Sequence, residues 1–204
     1  MAGPDAKFWQ ERFLREETPW DRRGASGQLV AWLDDQALRP CRILVPGCGS
    51  GYEVVLLAQR GFSVTAIDYA PAAIARVSER LAAANLQAEL VQADALDWHP
   101  AAPFDAVYEQ TCLCAIHPDL WVAYAAQLNS WLWPQARLFA LFAQLARPGA
   151  AKGMIEGPPY HCDINAMRAL FPEQRWHWPK PPYARVDHPH IAKMFELAVI
   201  LRRS

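Results

Sequence analysis

A strand, a glycine-rich turn and a helix follow one another in the first third of the chain, and this succession constrains the fold more than any other feature. Residues 42–45 (RILV) are of strand type, residues 47–51 (GCGSG) form the turn, and residues 52–58 have helical composition. Residues 62–67 then predict a second strand, which stops at Asp68, 17 residues after the last glycine. Glycine lets the backbone approach a ligand closely, and an acid roughly 20 residues further on binds a ribose hydroxyl in nucleotide-binding βαβ units. The sequence therefore predicts a site for an adenosine-containing ligand.

Two residues that other nucleotide-binding turns require are missing here, and their absence argues against a dinucleotide and against a nucleotide bound through a phosphate loop. A dinucleotide fingerprint needs glycine where Tyr52 stands, and a phosphate-binding loop needs a lysine that does not follow the turn. S-adenosylmethionine contains an adenosine and no pyrophosphate, so it suits a turn that lacks both this glycine and this lysine. The alternative is an ordinary glycine turn in an unrelated α/β domain.

Strand and helix patterns continue to alternate beyond the second strand. Further strands are predicted at residues 88–92, 104–110, 137–142, 176–178 and 195–201. Further helices are predicted after Asp5, at residues 26–36, after Pro71, after Pro118 and at residues 165–171. Alternation of this kind implies an α/β fold, with a mainly parallel sheet, right-handed crossovers and helices on both faces.

Acidic residues stand at the ends of successive predicted strands. Ligands of parallel sheets bind at the C-terminal ends of the strands, so Asp68, Asp94 and residues 109–110 are expected to share one crevice with the glycine turn. There the Asp68 carboxylate would accept hydrogen bonds from the ribose diol, and the Asp94 carboxylate would accept one from the adenine amino group. Taken singly, each acid is equally well explained as a helix cap.

Composition excludes several classes of function. The 204 residues fit one domain, and 20 Lys+Arg against 21 Asp+Glu, without a basic block, argue against a nucleic-acid partner. Five cysteines without framework spacing indicate reduced thiols and a cytoplasmic protein. No apolar run approaches the roughly 18 residues of a membrane span, so no membrane partner is expected. His188 and His190 lack further ligands at metal-site spacing, and no metal is predicted.

Four short motifs carry a resemblance to a known family. They are Phe8-Trp9 together with residues 18–21 (TPWD), residues 44–52 (LVPGCGSGY), residues 114–116 (CAI) and residues 157–160 (GPPY). With them the chain resembles the class I S-adenosylmethionine-dependent methyltransferases of the thiopurine methyltransferase superfamily, nearest to its halide/thiol branch. The resemblance implies a Rossmann-like α/β fold with a seven-stranded, mainly parallel sheet whose last strand is antiparallel. It also implies one domain over residues 1–204, with an N-terminal helical lid (1–36), a cofactor-binding half (42–110) and a substrate half (111–204).

The same resemblance implies which residues form the site. The expected contacts to S-adenosylmethionine come from Trp9, Phe13, Trp20, Gly47, Cys48, Gly49, Gly51, Asp68, Tyr69, Asp94, Ala95 and Gln110. Tyr160 is expected to lie against the substrate. The chain departs from the family at Phe13, Ala95 and Gln110, where Trp, Phe and Tyr are common, and these departures affect the choice of substrate more than that of cofactor.

The chemistry of methyl transfer agrees with this set of residues. Aromatic rings attract a cationic sulfonium by about 0.5–2 kcal/mol each, and the chain has nine tryptophans. A thiol, with an unperturbed pKa of about 8.5, ionises without a strong base, so His117 and His161 are weak candidates for one. The predicted reaction is methylation of a small soft nucleophile, above all a thiol, with thiopurine-like, halide and selenium or tellurium species also open. The protein is expected to be a monomer or weak homodimer. The alternatives are an O-methyltransferase with a histidine base and a non-catalytic module that binds S-adenosylmethionine.

Overall fold

The computed structural model describes residues 3–145 and 147–204. Within them the strands are β1 (Arg42–Pro46), β2 (Ser63–Asp68), β3 (Glu89–Gln92), β4 (Phe104–Gln110), β5 (Leu132–Gln144), β6 (Trp176–His177), β7 (Ala184–Asp187) and β8 (Phe195–Arg203). The α-helices are α1 (Ala6–Leu14), α2 (Gly27–Asp34), α3 (Tyr52–Gln59), α4 (Pro71–Ala83), α5 (Cys112–Ala115), α6 (Trp121–Ser130) and α7 (Ile164–Leu170).

All the strands belong to one sheet, in the order β3-β2-β1-β4-β5-β8-β6, with β7 also paired to β8. The strands β1 to β5 are parallel to one another. The last strand, β8, runs antiparallel to β5, and β6 and β7 run antiparallel to β8. The predicted mainly parallel α/β sheet with an antiparallel last strand is thus confirmed.

The described sheet has eight strands, so the predicted number of seven is wrong. Two short strands share the outer edge of β8: β6 pairs with Arg202 and Arg203, and β7 pairs with residues 195–198. The segment between them, residues 178–183, contains three prolines. Proline has no backbone N–H to donate to a neighbouring strand. The edge of β8 is therefore paired with two short strands rather than with one continuous strand. Sequence reasoning missed β7, because its residues 184–187 (ARVD) contain two charged side chains and no apolar run.

The fifth strand is also longer than predicted, since it begins at Leu132 rather than at residue 137. Residues 133–136 of β5 lie opposite the single residue Asp105 of β4, because Phe104 pairs with Leu132 and Ala106 pairs with Arg137. Proline is tolerated at such irregularities, which explains how Pro134 is included in the strand. The predicted fourth strand, residues 104–110, has the bounds that the structure gives it.

Helix starts follow the capping signals of the sequence. Asp5 accepts the N–H of Phe8 at 2.8 Å and caps α1, and Pro71 occupies the first turn of α4. After Pro118 the chain first makes a 3₁₀ turn over Pro118–Leu120, and α6 begins only at Trp121. Val77 and Leu81 are four residues apart in α4 and therefore share one face of the helix, and both are buried.

The sheet is covered on both faces, and successive residues of β1 enter different cores. Leu44 belongs to a cluster that includes Tyr124 and Leu128 of α6 and Met167 of α7. The neighbouring Ile43 and Val45 belong to a second cluster, formed by side chains of α2, α3 and α4. Alternation across the pleat therefore produces a three-layer arrangement, with the C-terminal ends of β1 to β5 left at one edge. None of the helices in the described residues is long and apolar enough to traverse a bilayer.

Candidate functional site

The turn between β1 and α3 requires its glycines. Gly47, Gly49 and Gly51 have φ angles of +58°, +51° and +77°, in the left-handed region that side chains disfavour. A Cβ atom on Gly51 would lie 2.6 Å from Cγ2 of Val77. The N–H of Cys48, between the first two glycines, donates to the carbonyl of Ile67 at 3.0 Å and ties the turn to β2. The turn is therefore a fixed backbone cradle.

Asp68, the last residue of β2, holds this cradle in place. One carboxylate oxygen accepts the N–H of Gly49 at 3.0 Å, and the other accepts the N–H of Ala70 at 2.9 Å. Burial raises the pKa of Asp68, while the hydrogen bonds from Ala70 and Gly49 act in the opposite direction. The backbone N–H of Tyr69 acts in the same direction. A carboxylate has about four acceptor positions, so these backbone groups do not fill all of them.

Asp94 lies in a turn beside the end of β2. Its carboxylate accepts the N–H of Leu96 at 2.8 Å, and the preceding residue, Ala93, donates its N–H to the carbonyl of Asp68 at 3.1 Å. Tyr69 is affected by the charge of Asp94. Burial is the larger cause and this charge the next largest, and they raise the pKa of the Tyr69 hydroxyl to about 12. Ala95 packs at the margin of the core that contains α6. The Ala93 contact therefore joins the turn that contains Asp94 to the end of β2.

The N-terminal segment brings its aromatic rings to the same place. The ring of Trp20 lies edge-on to Trp9 at 5.2 Å and to Phe13 at 6.0 Å between centroids. Phe13 is only 3% exposed and packs on Ala70 and Ala73. A Cβ atom on Gly49 would lie 3.8 Å from Cζ of Phe13, so this ring adjoins the cradle.

Two side-chain contacts fasten α1 onto the start of α4. The amide oxygen of Gln10 accepts the N–H of Ala72 at 2.8 Å, and the guanidinium of Arg76 donates to the carbonyl of Phe13. Tyr69 adds a third contact, since its hydroxyl donates to the carbonyl of Pro4 at 3.2 Å. The segment is thus docked over the edge of the sheet.

Gln110, at the end of β4, is engaged within the protein at both ends of its amide. The oxygen accepts the hydroxyl of Tyr108 at 2.6 Å, and the nitrogen donates to Glu196 at 3.1 and 3.3 Å. Glu196 also accepts Arg22 at 2.7 Å. Gln110 therefore contributes a fixed wall rather than a free hydrogen-bonding group.

These elements enclose one cleft, with the cradle on one side and the ends of β1 and β4 on the other. Six of the predicted cofactor residues line it: Trp20, Gly47, Cys48, Gly49, Gly51 and Gln110. Trp9, Phe13 and Asp68 do not line the cleft but contact the lining residues Trp20 and Gly49. Tyr69, Asp94 and Ala95 are not among the lining residues either. The lining residues that were missed are Asp21, Arg22, Gly24, Val45, Ser50, Tyr52, Glu53, Tyr108 and Thr111. Most of them are sequence neighbours of Trp20 or of the glycine turn, and Tyr108 and Thr111 flank Gln110.

Tyr160 and His117 meet beyond the end of β4. Their rings are 5.3 Å apart between centroids and nearly perpendicular. The N–H of Tyr160 donates to the carbonyl of Cys114 at 2.7 Å, which joins the GPPY motif to the CAI motif. Burial raises the pKa of the Tyr160 hydroxyl. Nδ1 of His117 accepts the N–H of Asp119 at 3.3 Å.

His161 has different surroundings, although it is adjacent to Tyr160 in sequence. Its Nδ1 accepts the N–H of Leu145 at 3.1 Å, and its Nε2 lies 4.0 Å from a carboxylate oxygen of Asp163. These partners belong to the end of β5 and the N-cap of α7. The structure therefore pairs Tyr160 with His117 and directs His161 toward another part of the fold.

Sequence reasoning also missed the environment of Glu109. This side chain is 1% exposed and accepts the N–H of Leu113 at 2.7 Å, which caps α5. Burial is the main cause that raises its pKa, to about 7. The signal available was a carboxylate directly after the run of residues 106–108 (AVY) in β4.

Four of the five cysteines are buried, and all five are free thiols. Burial raises the pKa of Cys48, Cys112, Cys114 and Cys162. They are therefore neutral at physiological pH and act as small core residues rather than nucleophiles.

Sequence comparison finds relatives over most of the chain. Residues 4–193 match the family described as thiopurine S-methyltransferase. Thiocyanate methyltransferase 1 of Arabidopsis thaliana is 31% identical over 165 residues, which are 79% of this chain and 70% of that protein. A thiopurine S-methyltransferase of Gluconobacter oxydans is 29% identical over 191 residues, covering 83% of this chain and 82% of the relative.

Solved structures share the fold. The 1,6-didemethyltoxoflavin-N1-methyltransferase of Burkholderia thailandensis superposes with a TM-score of 0.76 at 18% identity, over 98% of this chain and 87% of that one. The magnesium protoporphyrin IX methyltransferase of Synechocystis PCC 6803 superposes with a TM-score of 0.75 at 17% identity, over 98% and 100%. Both were solved with bound S-adenosylhomocysteine. The Rossmann-like methyltransferase fold predicted from the sequence is confirmed.

Proposed function

Because the chain belongs to the thiopurine S-methyltransferase family, we propose that it transfers a methyl group to the sulfur of a small thiol. It is an S-adenosylmethionine-dependent methyltransferase that acts on small molecules. The open points are the acceptor atom and the residues that carry the reaction. Thiocyanate, thiol and thiopurine methyltransferases among the relatives support sulfur as the acceptor.

The cradle fits the cofactor. Residues 47–51 present backbone without side chains at Gly47, Gly49 and Gly51, and Asp68 keeps acceptor positions for a ribose diol. We assign Asp94 to the adenine amino group, with Tyr69 and Ala95 beside it. S-adenosylmethionine, when bound, supplies a methyl group on a positively charged sulfur.

The aromatic cluster of Trp9, Phe13 and Trp20 supports a second role for the N-terminal segment. Its rings adjoin the cradle, and ring faces attract a sulfonium cation by about 0.5–2 kcal/mol each. A segment docked across the cleft also excludes water, which strengthens charge interactions within it. We propose that residues 1–36 act as a lid, residues 42–110 bind the cofactor and residues 111–204 bind the substrate.

The hydrogen bonds of the two candidate histidines support a nucleophile that ionises by itself. Nδ1 of His117 and Nδ1 of His161 each accept a backbone N–H. In a neutral imidazole the other nitrogen, Nε2, then carries the proton and is a donor. Neither ring presents a free basic nitrogen, and a thiol with a pKa of about 8.5 needs none. We assign His117 and Tyr160 to orienting the substrate, and this observation on Nδ1 carries the choice of a thiol over a phenol.

Turnover of the cofactor tests the proposal. The wild-type enzyme is incubated with S-adenosylmethionine and one of a series of acceptors: thiols, a thiopurine, thiocyanate, halides, selenite and phenols. We expect S-adenosylhomocysteine to accumulate fastest with a thiol. Turnover with phenols alone would identify an O-methyltransferase, and binding of S-adenosylhomocysteine without turnover of any acceptor would identify a non-catalytic module.

We further propose that the enzyme is a cytoplasmic monomer or weak homodimer without a nucleic-acid partner. The net charge of −1 supports this, since a basic surface for phosphates is not expected from it. Light scattering at several protein concentrations tests the oligomeric state. A gel-shift assay with single- and double-stranded oligonucleotides tests nucleic-acid binding.

A further inference from the structure

A buried polar network lies beneath the cleft and joins three distant parts of the chain. Its members are Arg22, Tyr108, Gln110 and Glu196, hereafter the latch network. The Glu196 carboxylate accepts Arg22 Nη2 at 2.7 Å and Gln110 Nε2 at 3.1 and 3.3 Å, and Gln110 in turn accepts the Tyr108 hydroxyl at 2.6 Å. One carboxylate on β8 therefore holds both the N-terminal segment and the end of β4.

Neither charged member is placed where stability alone would favour it. Glu196 is 0% exposed, in a strand flanked by β5 and β7. The guanidinium of Arg22 has one buried nitrogen, Nε, without a hydrogen-bond partner among the described residues. Such a pair is often replaceable by apolar residues without loss of stability. An ion pair with an unsatisfied donor is the kind of local inconsistency that is expected at functional positions.

The loop between the antiparallel strands β7 and β8 supplies a second contact to the N-terminal segment. Nδ1 of His188 accepts the N–H groups of His190 and Ile191 at 3.2 and 2.9 Å, so its Nε2 carries the proton. Nε2 lies 3.3 Å from the carbonyl of Trp20 and donates to it. Trp20 and Arg22 are thus held by His188, which follows β7, and by Glu196 of β8.

We infer that Glu196 is a positioning residue, whose carboxylate couples docking of the N-terminal segment to the geometry of the β4 wall. Through Arg22 it holds Trp20 against the cradle, and through Gln110 it fixes the other wall of the cleft. Glu196 itself does not line the cleft, so its effect on the ligand passes through these two residues. This inference rests on the proposed function, because the cleft between the two walls is the one assigned to the cofactor.

A double-mutant cycle with Arg22→Met and Glu196→Gln tests the coupling. Arg22→Met alone leaves a buried carboxylate without its cation and lowers the melting temperature. The double variant removes both charges and recovers most of that loss. We nevertheless expect it to bind S-adenosylhomocysteine about tenfold more weakly than wild type in calorimetry. The KM for S-adenosylmethionine should rise by a similar factor.

The rate of proteolysis within the N-terminal segment distinguishes a positioning role from a purely structural one, because the stability of the double variant is largely restored. Chymotrypsin sites at Phe8, Trp9, Phe13 and Trp20 are unchanged in all variants. We expect faster cleavage there in the double variant, and unchanged cleavage in Arg60→Met, which removes the exposed pair with Asp34. A double variant that melts like wild type, resists chymotrypsin like wild type and binds within twofold would overturn the inference. A wild-type enzyme that fails to bind S-adenosylhomocysteine would instead refute the proposed function. In that case, proteolysis of the ligand-free protein would still test whether Glu196 holds the N-terminal segment in place.

Discussion

The carboxylate of Asp68 accepts the backbone N–H of Gly49 at 3.0 Å. The acid at the end of β2 and the turn after β1 are therefore one unit, although 19 positions separate them in the chain. The other oxygen of the same carboxylate accepts the N–H of Ala70, just before α4. Asp68 thus ties the turn after β1 to the start of α4.

Replacing Asp68 by Asn should weaken cofactor binding. The amide keeps one acceptor oxygen, while two backbone N–H groups and a ribose diol compete for it. Hydrogen bonds to charged groups contribute about 1.5–3 kcal/mol, so we expect the Kd for S-adenosylhomocysteine to rise about ten- to a hundredfold. Calorimetry measures it, with the exposed Asp35→Asn as control. Equal affinities in the two variants would remove Asp68 from the site.

Gly51→Ala should destabilise the fold as well as the cradle. Gly51 has a φ of +77°, and a Cβ there would lie 2.6 Å from Val77 in the core. Strained backbone of this kind costs about 1–3 kcal/mol before the clash is counted. Gly27→Ala is the matched control, because nothing lies within 4 Å of its added Cβ. Urea unfolding should show a loss of stability only in Gly51→Ala, and a similar effect in both would contradict the steric account.

His117→Ala and His161→Ala should each lower kcat less than about tenfold. Both rings use Nδ1 as an acceptor of a backbone N–H, and a general base contributes typically 10²–10⁴-fold. Steady-state kinetics with a thiol substrate measures the effect, with the exposed His99→Ala as control. A thousandfold loss at either position, with cofactor affinity intact, would favour a base-assisted O-methyltransferase.

The pH dependence of kcat/KM should follow the substrate. If the thiol ionises by itself, the apparent pKa on kcat/KM shifts with the pKa of the thiol as substrates vary. Two thiols of similar shape and different acidity provide the comparison. The same inflection with both, in the range of a histidine, would indicate a base on the enzyme.

Glu109 should make stability depend on pH with a defined sign. Its pKa is raised from 4.5 to about 7 in the folded state, so the stability it contributes is present below its unfolded pKa and is lost as pH rises through about 7. One pKa unit corresponds to about 1.4 kcal/mol, so the full effect is roughly 3 kcal/mol. Glu109→Gln should therefore gain stability relative to wild type between pH 5 and pH 8 in urea unfolding. The exposed Glu79→Gln should show no such change, and a pH-independent difference for Glu109→Gln would refute the prediction.

Much of the fold was predictable because its signals are local. The bounds of β4, the cap at Asp5 and the buried stripe of α4 follow from propensity and periodicity within a few residues. The missed strand β7 has only four residues, and it is defined by pairing with β8 rather than by its own pattern. The long β5 was likewise underestimated, because its irregular start is stabilised by pairing between Phe104 and Leu132.

The site was predictable to the same degree. Gly47, Gly49, Gly51 and Asp68 lie together as expected, since a βαβ unit brings the end of one strand to the next. Gln110 lines the cleft, but the hydrogen bonds of its side chain to Tyr108 and to Glu196, 86 residues away, had no signal in the sequence. No local pattern reveals a partner at that separation.

The sequence by itself determined the cradle, because positive φ angles at glycine and an acid at a strand end are properties of short segments. It also determined the chemical class through motifs that stay adjacent in the chain. Only the tertiary structure decided that the ring of Tyr160 packs against His117, whereas His161 accepts a hydrogen bond from Leu145. It alone placed Arg22 on Glu196. Such pairs form because packing of the sheet and its edges brings remote segments together, and burial then makes each remaining hydrogen-bond partner necessary.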